Sequence, residues 1–304
     1  MKKNFFILDN MKRLIIAFFL CCLCWMAADA QRIKFKNIRN HMIADVILDG
    51  NIKAKALIDT GGSMTLIDSA FAAKNGIEVN RQGERMRIRF PLGTVYCYPL
   101  QKDTLDVNGL HNSRPVYVGN VKEFHKKNNS VDVDMIMGTG YVAQDGSRML
   151  TLNIDKGYVE YGRKEIGKEY RKGILTVDEH GFVGTDAPLR LFPLYGKSGQ
   201  IRGRFVFDTG NANYFFLCGK NKAVTQFINE KGIELEEKVM GKKTLYYFRM
   251  NSAEILGKEI DMKGQAMVVL PKVRFYDYAG AIGYKFLSEV ELILDYDNNL
   301  LYIK

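Results

Sequence analysis

Cysteine is scarce in this sequence and badly placed to hold a fold together. Of the five cysteines, Cys21, Cys22 and Cys24 crowd into one apolar run near the start. Only Cys97 and Cys218 lie beyond it, which excludes a disulfide-dense scaffold. Their spacing leaves a bridge open, while their apolar neighbours predict two buried thiols. Histidine is also sparse. His41, His111, His125 and His180 stand far apart without ligand spacing, so loop or surface positions are predicted and a metal centre is not. No serine sits in a nucleophile-elbow context. No apolar run reaches the roughly 18 to 20 residues that a membrane-spanning helix needs.

Positive charge is in excess, at a formal net +10, but it is spread out. The densest cluster, Lys126-Lys127 with the stretch from Arg81 to Arg89, has no interleaved aromatics and no nucleic-acid motif. It reads as a solvated face, and no nucleic-acid partner is predicted. Lys12-Arg13 followed by the apolar run Leu14 to Met26 and by Ala28-Asp29-Ala30 predicts a signal peptide over 1–30. Met11 is the alternative start. Losing Lys2, Lys3, Lys12, Arg13, Asp9 and Asp29 with that segment lowers the net charge to +8. An exported chain with so little cysteine fits a bacterial periplasm, secretion or the cell surface.

What the sequence does hold is a repeat. Asp59-Thr60-Gly61 follows Ala56-Leu57-Ile58, and Asp208-Thr209-Gly210 follows Phe205-Val206-Phe207. Before each triplet lie two extended runs joined by turn chemistry. These are Ala44 to Leu48 and Ile52 to Ile58 around Asp49-Gly50-Asn51, then Leu189 to Tyr195 and Ile201 to Phe207 around Gly196-Lys197-Ser198-Gly199. After each triplet comes a short helical pattern stopped by glycine. The first is Asp68 to Asn75 before Gly76, with Asp68 as N-cap; the second is Asn221 to Lys231 before Gly232. Further on stand Ile136-Met137-Gly138 and Ala281-Ile282-Gly283. Each half then closes on an alternating strand pair, Leu150 to Tyr158 and Leu292 to Leu300. The pattern predicts a duplicated all-β unit with short helices, divided near Gly162 to Gly173 into lobes at 31–165 and 166–304.

These triplets and apolar-apolar-Gly motifs resemble the pepsin-like and retropepsin-like aspartic peptidases, above all exported bacterial forms with both triplets in one chain. The resemblance covers about Ile33 to Lys304. It implies the two-lobed acid-protease fold with a pseudo-twofold axis, and Asp59 and Asp208 facing each other across the cleft. Two carboxylates at about 3 Å cannot both ionise cheaply and share a proton. The implied activity is endopeptidase cleavage by water activated between them, with no covalent intermediate, metal or cofactor. By the same resemblance Thr60 and Thr209 brace the dyad, Gly61 and Gly210 allow the tight loops, and Ser63 and Asn211 flank them. Asn211 stands where the family usually has Thr, Ser or Ala, and Ala212 where the first half has Ser63, so the second carboxylate is expected to be held differently. A flap is expected in Arg87 to Phe90, Pro91-Leu92-Gly93-Thr94 and Val95 to Tyr98, with Tyr96 or Tyr98 as its aromatic. The reading as an ordinary hairpin stays open. Substrate polypeptide is expected as an added strand, the enzyme as a monomer, and a long inhibitory propeptide has no room.

Two rivals frame this reading. In one the fold is kept but the dyad is idle and the cleft binds peptides or a partner. In the other, Gly138-Thr139-Gly140-Tyr141-Val142-Ala143 with Glu160 matches a dinucleotide fingerprint. Such a loop must open a full helix, and Gln144-Asp145-Gly146-Ser147 breaks the chain at once, so no nucleotide is predicted. The sequon-like Asn128-Asn129-Ser130 carries no weight in a bacterial protein.

Overall fold

The computed structural model describes residues 31–90, 93–123, 131–240, 243–270 and 277–304. The expected signal peptide, Pro91-Leu92 of the expected flap turn, Lys126-Lys127 and Asn128-Asn129-Ser130 lie outside them. The fold is all-β, with each lobe built on its own sheet and a third sheet shared between the two.

The first lobe begins with strands whose side chains alternate between two faces. Met42–Leu48 and Ile52–Ile58 form an antiparallel hairpin from Met42 opposite Ile58 to Leu48 opposite Ile52. Met42, Ala44, Val46 and Ile58 point into the large central core, while Ile43 and Leu57 point into a smaller cluster on the other face. Asp49 and Gly50, both at positive φ, make the turn between the strands. The chain then enters Asp59-Thr60-Gly61 and continues through Thr65–Asp68 into the helix Ser69–Lys74. Asp68 caps that helix by accepting from the amides of Ala70 and Phe71.

The second lobe repeats this path with one interruption. Thr185 pairs with Phe205 and Leu189 with Ile201, so a single register runs through Val183–Thr185, Leu189–Pro193, Gly199–Ile201 and Arg204–Asp208. The run Ile201 to Phe207, expected as one strand, is broken at Arg202-Gly203. Pro188 stands opposite the break and has no amide hydrogen to donate to the ladder. The counterpart of Met42–Leu48 therefore begins at Val183, earlier than the expected Leu189. Asn221 caps the helix Lys222–Lys231, and Gly232 ends it in the left-handed conformation at φ 62°.

The shared sheet carries the duplication most plainly. Its order is Gln31–Lys34, Tyr158–Tyr161, Met149–Asn153, Glu291–Asp295, Leu300–Ile303, Arg171–Ile174, three strands from each half. The two halves meet antiparallel, Leu150 opposite Leu294 and Leu152 opposite Leu292, and all four of these leucines are buried. Gly138 to Ala143 opens no helix: Tyr141–Val142 is a strand paired with Leu110–Asn112. No helix among the described residues is long and apolar enough to cross a membrane.

Candidate active site

Each Asp-Thr-Gly loop leaves the end of a strand and is backed by a second, parallel strand. Ile58 pairs with Met137 of Met135–Met137, and Asp208 with Gly283 of Tyr278–Gly283. These backing strands are the two apolar-apolar-Gly motifs. Their glycines are needed for close approach. A Cβ at Gly138 would lie 2.5 Å from the carbonyl oxygens of Gly62 and Met64, and one at Gly283 would lie 2.3 Å from that of Asn213.

The loops lock to each other across the lobes. Thr60 Oγ1 donates to the Phe207 carbonyl at 2.8 Å and accepts from Thr209 N at 3.1 Å. Thr209 Oγ1 donates to the Ile58 carbonyl at 2.9 Å and accepts from Thr60 N at 3.0 Å. Both threonines are buried, so each of these bonds satisfies a group that water cannot reach. Gly61 lies against Asp208 and Gly210 against Asp59. A Cβ on either would come within 2.5 Å and 2.8 Å of the opposing carboxyl carbons.

Asp59 and Asp208 meet in this frame, but they are held unequally. Asp59 Oδ1 accepts from Gly61 N at 2.9 Å and from Gly210 N at 3.2 Å, one amide from each lobe. Asp208 Oδ1 accepts from Asn211 N at 3.0 Å. Burial holds the Asp59 carboxyl above the ordinary aspartate value, and the two amides pull it only part of the way back. Asp208 is driven well above the ordinary aspartate value by burial first and the neighbouring Asp59 charge second. Both carboxyls are thus held above the ordinary aspartate value, Asp208 the further of the two.

Other expected site residues stand as follows. Ser63 is buried beside the first loop. Asn211 Oδ1 accepts from Asn213 N at 3.2 Å, and Asn211 Nδ2 is buried with no partner among the described residues. Gly93 and Thr94 open the return strand Gly93–Pro99, paired with Phe90 and Arg89. Tyr96 is exposed, with the Arg85 guanidinium 4.3 Å above its ring. Tyr98 pairs with Val118, inside the sheet. Cys97 and Cys218 are buried in different lobes and are not bridged to each other. No group of three or more His, Cys, Asp or Glu side chains gathers as a metal would need among the described residues.

Two features escaped the sequence reading. His41, expected as a loop histidine, stands in the bend that leads into Met42–Leu48, one residue before the Met42–Ile58 pair. The turn at Asp49-Gly50-Asn51 already fixes that register. A second hairpin, Glu236–Met240 with the start of Lys243–Ile255, also went unread. Its signal was the Gly241-Lys242 pair ahead of the β-prone run 244–248.

Residues 44–141 match the family model for aspartyl proteases. No curated protein matches the chain. Among solved structures, the aspartic proteinase from Irpex lacteus superposes with a TM-score of 0.57 at 13% identity, covering 90% of this chain and 96% of its own. Basic 7S globulin from soybean superposes with a TM-score of 0.52 at 10% identity, covering 91% and 94%. The protein thus has the two-lobed all-β fold of the pepsin-like aspartic proteinases, and its residues 44–141 match the aspartyl protease family model.

Proposed function

We propose that the protein is an aspartic endopeptidase in which Asp59 and Asp208 activate a water molecule. The observation that carries this reading is the unequal pair: one carboxylate supplied with amide donors from both lobes, the other buried against it and pushed well above the ordinary aspartate value. Asp59 takes the proton from water. Asp208 gives its proton to the carbonyl oxygen of the scissile bond. The resulting gem-diol collapses with proton transfer to the leaving amine. The threonine lock ties the two loops, and with them the carboxyls, to each other. Substrate enters as an extended strand and is bound through its backbone. One chain holds both triplets, so the active species is a monomer, exported from a bacterial cell.

The test is cleavage of a mixed peptide library by residues 31–304 between pH 3 and 8. Asp59→Asn and Asp208→Asn are each expected to lower turnover by at least about a thousand-fold, as loss of general acid–base chemistry does, in proteins that still fold. Retained cleavage in both variants overturns the proposal. A second reading, a cleft that binds peptides without turnover, draws on the unpartnered Asn211 amide beside Asp208. Tight peptide binding with no cleavage by the folded wild type would favour it.

A further inference from the structure

One arginine crosses from the first lobe to the second between two glycines. The chain around it is fixed first. Asn112 Nδ2 donates to the carbonyls of Asp103 and Arg114 at 3.0 and 2.9 Å, and Ser113 N donates to the Gly140 carbonyl at 2.7 Å. The Arg114 stem then runs over Gly140, where a Cβ would lie 3.0 to 3.4 Å from its Cβ, Cγ and Cδ. Its guanidinium reaches the second lobe. Nη1 donates to the His180 carbonyl at 3.2 Å, a bond strengthened by the positive charge of the donor. The guanidinium also fills the space over Gly181, where a Cβ would lie 1.9 Å from Nη1 and 2.1 Å from Cζ. Each lobe thus leaves out one side chain to admit Arg114.

Both ends of this contact lead to the carboxylates. Gly140 follows Thr139, whose amide donates at 3.1 Å to the carbonyl of Gly62, beside the first triplet. On the other side, His180 and Gly181 belong to a turn. Gly181 N donates to the Asp178 carbonyl at 2.9 Å, Asp178 N to the Phe182 carbonyl at 3.2 Å, and Phe182 N to Asp178 Oδ1 at 2.8 Å. The Tyr278 hydroxyl donates to Asp178 Oδ2 at 3.1 Å. The turn runs straight into Val183–Thr185, which pairs with Arg204–Asp208, and Tyr278 opens the parallel strand that backs the second triplet. Arg114 therefore ties the frame of one carboxylate to the frame of the other. Its route is separate from the threonine lock and from the shared sheet.

We propose that Arg114 is a positioning residue of the dyad: by bridging the Gly140 segment and the His180 turn, it holds together the frames that carry Asp59 and Asp208. The proposal rests on the two-carboxylate reading of the site. Two carboxyls affect each other's ionisation more strongly the closer they stand. A pair held less firmly titrates in two steps that lie nearer together. Turnover needs both carboxyls on one water molecule, while peptide binding is spread along a backbone. Loss of the bridge therefore lowers kcat and leaves KM near its wild-type value.

The test compares wild type with three variants. Arg114→Met keeps the stem and removes the donors. Arg114→Lys keeps the charge and a donor. Gly181→Ala displaces the guanidinium from the opposite lobe. Carboxyl carbon NMR of protein labelled at aspartate, assigned with Asp59→Asn and Asp208→Asn, gives the interval between the two steps of the pair. The interval is expected to shrink by about half a unit in Arg114→Met and in Gly181→Ala, and to recover in part in Arg114→Lys. The double variant is expected to shrink it no further, because both substitutions break one contact. kcat is expected to follow the same order, falling about ten- to a hundred-fold without the bridge. A wild-type interval in folded Arg114→Met would overturn the proposal, and so would additive losses in the double variant. If Arg114→Met does not fold, Gly181→Ala and Arg114→Lys decide by the same comparison. A wild type that titrates in two coupled steps and cleaves nothing counts against the peptidase reading alone. A wild type without coupled steps overturns the two-carboxylate reading and the proposal together.

Discussion

Asp208 shows how much of the site's behaviour sits in one side chain. Burial and the neighbouring Asp59 hold its carboxyl well above the ordinary aspartate value of 3.8, which the unfolded chain restores. The native state therefore binds more protons than the unfolded state as the pH rises past that value, and stability falls. The sign is opposite to that of a salt-bridged aspartate. Asp208→Asn is expected to stabilise the protein at pH 7 by about 1 kcal/mol or more, with the gain vanishing below about pH 4. Thermal unfolding at pH 7 and pH 3 checks this, and equal shifts at both would refute it. At this scale the sequence was highly legible where chemistry is local. The triplets announce Asp59 and Asp208, Thr60 and Thr209 by residue type alone. His41 was not legible by type, since a lone histidine carries no motif; its place in the bend before Met42 emerges only from the fold. Asn211 was legible as a departure, but its buried, unpartnered amide emerges only from packing.

The elements repeat more faithfully than the residues. The hairpin Met86–Phe90 with Gly93–Pro99 pairs Met86 with Cys97 and closes at Phe90 opposite Gly93. Its second-lobe counterpart pairs Glu236 with Tyr247 and closes at Met240 opposite Lys243. Both run for five pairs over a two-residue connection. Both attach through a strand that lies parallel to the one leaving the triplet loop, Val116–Gly119 on Thr65–Asp68 and Ala266–Leu270 on Phe215–Cys218. Tyr96 and Val239 leave 49% and 67% of their surfaces exposed, so little packing restrains either hairpin. Both are expected to exchange backbone hydrogens quickly in the free protein and to slow together when a non-cleavable peptide binds. Hydrogen exchange read by mass spectrometry checks this; slowing confined to 86–99 would make the second hairpin a plain sheet edge. The helices were legible because caps are written in sequence, as Asp68 and Asn221 show. The break at Arg202-Gly203 was missed because its cause, Pro188, sits on the opposite strand.

At the scale of the molecule, the lobes are joined by the shared sheet as well as by the dyad. Met149–Asn153 is an internal strand only because Glu291–Asp295 lies beside it. Cut away, the first half would expose Leu150 and Leu152 along an open edge, a template for aggregation. Residues 31–165 expressed alone are therefore expected to be insoluble or loosely packed, and to order on mixing with 166–304. Circular dichroism and size measurements on each half and on the mixture check this; a stable, monomeric first half would contradict it. The same arrangement orders events in time. A ribosome releases Asp59 long before Asp208, and the strands that clamp the halves together, Glu291–Asp295 and Leu300–Ile303, come later still. Until they arrive, the first carboxylate has no steady partner and the pair cannot share a proton. A chain of this design completes its carboxylate pair only when its last strands are in place.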